Sequence, residues 1–77
     1  MKRAVVIGGA SGIGLATVDA LTAEGVEVVV ADIDAERAET IAAERGDTVR
    51  ALHLDVTDED SVVAAFDAIG EFDTVVN

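Results

Sequence analysis

Cysteine is absent from this chain of 77 residues, and only one histidine is present. Without cysteine the chain can form neither a disulfide bond nor a thiolate metal site, and one histidine cannot build a zinc site alone. We therefore predict no metal site. The absence of cysteine is also compatible with a reducing cytoplasm, which is the location we predict.

Basic residues are few. The chain has five of them against 16 acidic ones, which gives a formal net charge of -11. The basic residues are scattered along the sequence: Lys2, Arg3, Arg37, Arg45 and Arg50. We expect neither nucleic acid nor an anionic membrane as a partner, because both would be repelled. A phosphate group would be repelled too, so a phosphate site must depend on short-range backbone donors.

Long hydrophobic runs are also missing. Residues 1–3 are followed by an apolar stretch, as in a signal peptide, but glycines soon interrupt that stretch and a helical pattern follows. No run approaches the roughly 18 apolar residues of a membrane span. We predict one small domain, residues 1–77, with a core so small that a partner chain would help to stabilise it.

Short runs rich in β-branched residues indicate four strands. They stop at glycines or carboxylates and have the continuous apolar character of strands that are buried on both faces. The predicted strands are residues 3–7, 27–32, 48–56 and 72–77.

Three amphipathic stretches separate these strands. We predict that helix one starts at Gly12, that Asp34 caps helix two, and that Thr57 or Asp58 caps helix three. Gly25, Gly46 and Gly70 are expected to end them. The predicted buried faces are Ile13, Ala16, Thr17, Ala20 and Leu21 in helix one, Ala38, Ile41 and Ala42 in helix two, and Val62, Ala65, Phe66 and Ile69 in helix three.

This alternation predicts an α/β fold. Each link between strands is long enough to hold a helix, so the strands pair in parallel through right-handed crossovers. If the third crossover reverses direction, the four-stranded sheet has the order 3-2-1-4, with three crossover helices and a crevice beside the carboxyl ends of strands one and four. This is half of a Rossmann-like fold.

The link between strand one and helix one is rich in glycine. It places Gly8, Gly12 and Gly14 where unpaired backbone N–H groups meet the positive end of the helix dipole, and Ser11 could add a hydroxyl donor. Gly8 permits a sharp turn, Gly12 a close approach of phosphate, and Gly14 tight packing of the helix. The alternative is a glycine-rich turn that binds nothing.

The glycine spacing is informative. The segment reads Gly-Gly-Ala-Ser-Gly-Ile-Gly from Gly8 to Gly14 and resembles the loop of the classical short-chain dehydrogenase/reductase family. Asp32 at the end of strand two, Asp55-Val56 near the end of strand three and the run before Asn77 are similar to further motifs of that family. The resemblance covers the whole chain, although Ile7 stands where the family usually has threonine.

The resemblance implies a nicotinamide cofactor and the residues that hold it. Asp32 would accept hydrogen bonds from both hydroxyls of the adenosine ribose. Ile33 stands where NADP-preferring relatives often have arginine, so we predict NAD in preference to NADP. Asp55 and Val56 would contact the adenine, Ile13 belongs to the loop, and Asn77 would support the loop near the cofactor. Asp32 as a solvated acid or helix cap, and Asp55 as a turn residue, stay open alternatives.

The family's reaction needs groups that this chain does not have. The resemblance implies hydride transfer assisted by Tyr, Lys, Ser and Asn, all beyond the point where the chain stops. Tyrosine is absent and the only lysine is Lys2. His53 is expected to be packed or edge-exposed, not catalytic. We predict binding of the adenosine-diphosphate part of NAD without catalysis. The alternatives are a structural or designed fragment with negligible affinity, or an enzyme half that needs a complementary chain.

A homo-oligomer is expected. Strand four would have an unpaired outer edge beside Val75 and Val76, and such edges recruit further strands. We predict a homodimer formed through this edge or through an uncovered face of the sheet.

Overall fold

The computed structural model describes residues 2–76 and contains four strands and three helices within that range. The strands are β1 (Arg3–Ile7), β2 (Glu27–Asp32), β3 (Val49–His53) and β4 (Thr74–Val76). The helices are α1 (Gly12–Ala23), α2 (Ala35–Arg45) and α3 (Glu59–Ile69).

The strands form one parallel sheet in the order β3-β2-β1-β4. In its register, Val5 of β1 lies between Val29 of β2 and Val75 of β4. The predicted α/β class, the strand order 3-2-1-4 and the three crossovers are confirmed. The first two crossovers extend the sheet to one side of β1 and the third extends it to the other, so the carboxyl ends of all four strands share one edge.

Both faces of the sheet carry helices, α1 and α2 on one and α3 alone on the other. On one face, Val6 and its neighbours pack against Val18 of α1 and Ile41 of α2. On the other face, Val5 and Val29 pack against Ile69 of α3. Adjacent β1 residues point to opposite faces because strand side chains alternate, which explains why the sequence shows a continuous apolar run.

The predicted caps are largely confirmed. The Asp34 carboxylate accepts a hydrogen bond from the backbone N–H of Arg37, and the Asp58 carboxylate accepts two, from the N–H groups of Asp60 and Ser61. Asp58, not Thr57, is therefore the cap of α3.

The buried faces of α2 and α3 are also as predicted, with Ala38 and Ile41 buried in the first and Ala65 and Ile69 in the second. Partly buried against them are Ala42, Val62 and Phe66.

The predicted face of α1 is wrong except for Thr17 and Leu21, which are partly buried. Val18 is the buried residue of this helix, and Leu15 and Leu21 pack beside it. Ile13 is 88% exposed, and Ala16 and Ala20 are also exposed. Apolar residues occur all around α1, so two different faces of this helix could pack against the sheet. The face that does so is the one that also lets the first turn of the helix pack against the glycine loop.

Strands three and four are shorter than predicted. β3 ends at His53, after which the backbone N–H of Leu54 donates to the carbonyl oxygen of Asp32 and the chain turns. β4 begins only at Thr74, and Asp73 before it makes two hydrogen bonds to the backbone of Arg3. Asn77 lies outside the described residues. Phe72, which precedes β4, is 39% exposed.

Candidate functional site

The glycine loop links the carboxyl end of β1 to the start of α1. Gly8 has a φ of 77°, a left-handed conformation that side chains disfavour, and its N–H donates to the carbonyl oxygen of Ala31 over 2.8 Å. The turn out of β1 is therefore tied to β2. This is the sharp turn that the sequence predicted for Gly8.

The amino-terminal end of α1 is uncapped. Ser11 stands at the N-cap position, but its side chain caps no amide; instead, its hydroxyl donates to the carbonyl oxygen of Gly8 over 3.2 Å. Within residues 2–76, the N–H groups of Gly12, Ile13 and Gly14 have no acceptor. A helix start with free N–H groups and the positive end of the dipole can bind an anion.

The surroundings of two glycines differ sharply. A Cβ atom added at Gly12 would meet nothing within 4 Å, so the approach to the free amides is open. A Cβ atom added at Gly14 would lie 2.2 Å from the carbonyl oxygen of Gly8, which is far inside van der Waals contact. Gly12 therefore leaves space for a ligand, while Gly14 lets the helix and the loop pack together.

Asp32 points at the loop. Its Oδ2 atom accepts from the N–H of Ala10 and its Oδ1 atom accepts from the N–H of Asp34, each over 3.0 Å. A carboxylate has about four acceptor positions, so about two are left for a ligand. Asp34 is the helix cap, which removes the alternative of Asp32 as the cap of α2.

A small cavity lies between the loop and the ends of β2 and β3. Its volume is about 200 Å³, and its lining residues are Ile7, Gly8, Ala31, Asp32, Ile33, Leu54, Asp55, Val56 and Thr57. Five residues predicted as site residues thus come together there: Gly8, Asp32, Ile33, Asp55 and Val56. Ile33 and Val56 are 65% and 63% exposed, so two apolar side chains are available beside the cavity.

Asp55 also forms a turn. Its Oδ1 atom accepts from the hydroxyl of Thr57 over 2.6 Å and from the backbone N–H of Thr57 over 2.9 Å. These bonds, the hydroxyl first, hold the pKa of the Asp55 carboxyl below its ordinary value. The turn interpretation is therefore confirmed as a structural role. Contact with adenine stays a prediction for Asp55 and Val56, and so does the role of Asn77, which lies outside the described residues.

Arg37 was not among the residues predicted for this site. Its Nε atom donates to the carbonyl oxygen of Ala10 over 2.6 Å. Arg37 therefore contacts the same residue of the glycine loop that Asp32 contacts. The only signal was its position three residues after the cap Asp34, which is too common a spacing to identify a contact.

The larger cavities among the described residues contain none of the predicted site residues. A larger open cavity of about 540 Å³ lies at the other end of the sheet, but its Arg3 uses its guanidinium on the carbonyl oxygens of Ile69 and Glu71. Within residues 2–76, no group of three or more His, Cys, Asp or Glu side chains could hold a metal ion. Nor does any helix in that range have the length and apolar character needed to cross a membrane.

Comparison with known proteins gives one consistent result. The family model described as short chain dehydrogenase matches residues 2–77. Galactitol 2-dehydrogenase from Agrobacterium fabrum is 48% identical, over 99% of this chain and 31% of that protein. (+)-Borneol dehydrogenase 1 from Salvia officinalis is 46% identical, over 87% of this chain and 26% of that protein.

Solved structures agree. The 3-hydroxyacyl-CoA dehydrogenase type-2 from Mycobacterium avium superposes with a TM-score of 0.84 at 42% identity, covering 99% of this chain and 32% of its own. The 3-ketoacyl-(acyl-carrier-protein) reductase from Brucella melitensis, complexed with NADH, has a TM-score of 0.84 at 32% identity, covering 96% of this chain and 32% of its own. The chain therefore spans about a third of the length of the proteins that it matches.

Proposed function

Because the chain belongs to the short-chain dehydrogenase family, we propose that it binds the adenosine-diphosphate part of NAD as the first portion of an NAD-dependent oxidoreductase. One observation carries this proposal. The open, uncapped start of α1 and the carboxylate of Asp32 lie on the same edge of the sheet and are joined through the N–H of Ala10. A diphosphate and the ribose attached to it need this pairing of amide donors with a nearby acceptor.

Each part of the ligand has a candidate partner. The free N–H groups of Gly12, Ile13 and Gly14 would hold the diphosphate, and the hydroxyl of Ser11 would join them by turning away from the carbonyl oxygen of Gly8. The free acceptor positions of Asp32 would take the ribose hydroxyls. The adenine would lie between the exposed side chains of Ile33 and Val56, with Asp55 beside it: Oδ1 of Asp55 is used in the turn, and Oδ2 makes no hydrogen bond within residues 2–76.

NAD is proposed over NADP. Asp32 would face the additional phosphate of NADP, and each pair of like charges about 4 Å apart costs about 1 to 4 kcal/mol, depending on the effective dielectric. Ile33 offers no compensating charge.

Binding is proposed without catalysis by this chain alone. The bound cofactor would supply hydride chemistry at its nicotinamide ring. Proton transfer to or from a substrate oxygen would need an acid–base group, and the chain has no tyrosine and a single lysine, Lys2, at its amino terminus. We therefore treat residues 1–77 as one dinucleotide-binding unit, acting in the cytoplasm, whose substrate chemistry would come from elsewhere.

Titration with NAD, NADP and ADP, followed by backbone amide resonances, tests the proposal. We expect NAD and ADP to shift the signals of Gly8 to Gly14, Asp32 and Asp55, with NADP at least tenfold weaker. Asp32→Asn removes the charge that disfavours the extra phosphate, so it should reduce the difference in affinity between NAD and NADP. Spectra that stay unchanged at millimolar NAD and ADP would identify the chain as a structural fragment instead.

We further propose that two copies associate through β4. This strand pairs with β1 on one side and has no partner on the other within residues 2–76, while Val75 is 43% exposed. Val75→Lys should produce monomers in sedimentation equilibrium, because charge at a sheet edge prevents pairing. Val63→Lys is the control, since Val63 is an exposed residue of α3. A parent chain that is monomeric at all accessible concentrations refutes the dimer.

A further inference from the structure

We infer that Arg37 is a positioning residue of the phosphate-binding loop: by holding the carbonyl oxygen of Ala10, it keeps the loop in the shape that receives the diphosphate. This inference rests on the proposed function and adds a residue to it. Its basis is the short contact of 2.6 Å between the Nε atom of Arg37 and the carbonyl oxygen of Ala10. Charge-assisted hydrogen bonds of this length are among the strong ones in proteins.

Both polar backbone groups of Ala10 are held by side chains. Its N–H donates to Asp32 on β2, and its carbonyl accepts from Arg37 on α2. The small Ala10 side chain is buried in the core cluster with Val6 and Val30. Ala10 is therefore clamped from three directions in the middle of the loop.

Apart from the bond that ties Gly8 to β2, the rest of the loop is held only weakly. The N–H of Ser11 donates to the carbonyl oxygen of Gly8 over 3.4 Å, near the limit of a hydrogen bond. Gly8 and Gly12 make no close contact at the positions where side chains would be. The carbonyl of Ala10 and the N–H of Ser11 belong to one planar peptide, so Arg37 fixes the orientation of the peptide that leads into the free amides of α1.

Arg37 is itself held in place. Its backbone N–H donates to the cap Asp34, in the first turn of α2. The other nitrogen atoms of its guanidinium make no hydrogen bond within residues 2–76, so the contact with Ala10 is the one that orients the side chain. α2 therefore contributes to the candidate site, although none of its residues lines the cavity beside Asp32.

Arg45 provides a matched control on the same helix. It also reaches from α2 to a neighbouring element, but it binds the carboxylate of Asp19 on α1, over 2.6 and 3.2 Å, and has no contact with the loop. Arg37→Met and Arg45→Met each remove one cation and one bridge from α2. Only the first removes a bond to the loop.

The experiment compares the parent chain with Arg37→Met, Arg37→Lys and Arg45→Met. Its measurements are the Kd for ADP, the thermal midpoint without ligand, and the resonances of the Ala10 carbonyl carbon and the Ser11 amide. We expect Arg37→Met to raise the Kd about tenfold and to shift both resonances. Arg45→Met should lower the thermal midpoint at least as much, with a Kd within about twofold of the parent.

Arg37→Lys separates charge from geometry. It keeps the cation but loses the Nε donor, so its Kd should lie between those of the parent and Arg37→Met. Parental affinity in Arg37→Lys, together with an Ala10 resonance like that of Arg37→Met, would assign the effect to charge and overturn the inference. Equal Kd values for Arg37→Met and the parent would overturn it too.

The proposed function and the inference about Arg37 can fail separately. If the parent chain does not bind ADP, the proposed function fails, while the Ala10 and Ser11 resonances still report whether Arg37 orients this peptide. If the parent binds and Arg37→Met binds equally well, only the inference about Arg37 fails. Should Arg37→Met not fold, the Arg37→Lys chain gives the same readouts.

Discussion

Helices α1 and α3 both begin at the carboxyl edge of the sheet, yet side chains cap the first turn of α3 and leave that of α1 uncapped. At α3, Asp58 accepts from two backbone N–H groups, and Glu59 and Asp60 add negative charge to the first turn. At α1, the first turn contains no acidic residue and Ser11 caps no amide. One helix neutralises its own positive end, and the other leaves it available.

The difference shows where a ligand can act in so acidic a protein. A net charge of -11 repels anions at long range. At short range, however, free N–H groups and the helix dipole determine whether an anion binds, and their attraction falls off within the first turn. A site for phosphate therefore needs only one helix start from which carboxylates are excluded, and α1 is that start.

The strongest way to break the open start of α1 is to substitute Gly14. Alanine gains about 1 kcal/mol in helix propensity over glycine, but here its Cβ would lie 2.2 Å from the backbone oxygen of Gly8. We expect Gly14→Ala to destabilise the fold by about 3 kcal/mol, because neither backbone can move away freely. Chemical denaturation measures this change.

Gly12→Ala is the matched control, two residues earlier in the same turn. Its Cβ meets nothing within 4 Å, so folding stability should be unchanged or slightly higher. ADP binding should fall about tenfold, since the methyl group occupies the approach to the free amides. If Gly14→Ala is as stable as Gly12→Ala, the packing argument for Gly14 is wrong.

A smaller effect on stability is expected at the start of α3, which Asp58 caps. Asp58→Ala removes two cap bonds and should lower the free energy of unfolding by about 1 kcal/mol, without changing the Kd for ADP. Ser11→Ala stands at the corresponding position of α1, where no cap bond exists to be lost. It should leave stability nearly unchanged and weaken ADP binding. A similar loss of stability in both variants would contradict the contrast between the two helix starts.

The same contrast explains what the sequence could predict. The strand order follows from four buried runs separated by helical links, and the caps Asp34 and Asp58 follow from residue type and position. The face of α1 could not be predicted, because this helix is apolar on several sides and the contact at Gly14 decides between them. The end of β3 depends on a turn made by Asp55 and Thr57, which competes locally with strand pairing.

At the site itself, glycine spacing and the position of Asp32 were sufficient to predict which residues come together. They could not show that Asp32 already holds the N–H of Ala10 in the loop, nor that Arg37 holds the carbonyl oxygen of the same residue. Those contacts depend on the angle between α2 and the loop, and a long, flexible arginine side chain leaves no periodic signal of where it will bind.

The smallest expected effect concerns acid, and it sharpens the contrast because a carboxylate caps α3 and none caps α1. The hydrogen bonds from Thr57, hydroxyl first, hold the pKa of Asp55 below its ordinary value. Since the pKa is lower in the folded chain, the stabilisation is present above the pKa of the unfolded chain and is lost as the pH falls through the folded one. Thr57→Val removes the hydroxyl and keeps the carboxylate, so the Thr57 amide resonance of the parent and that of Val in its place should titrate with different midpoints, the variant's at higher pH. Identical midpoints would show that the hydroxyl does not lower the pKa of Asp55.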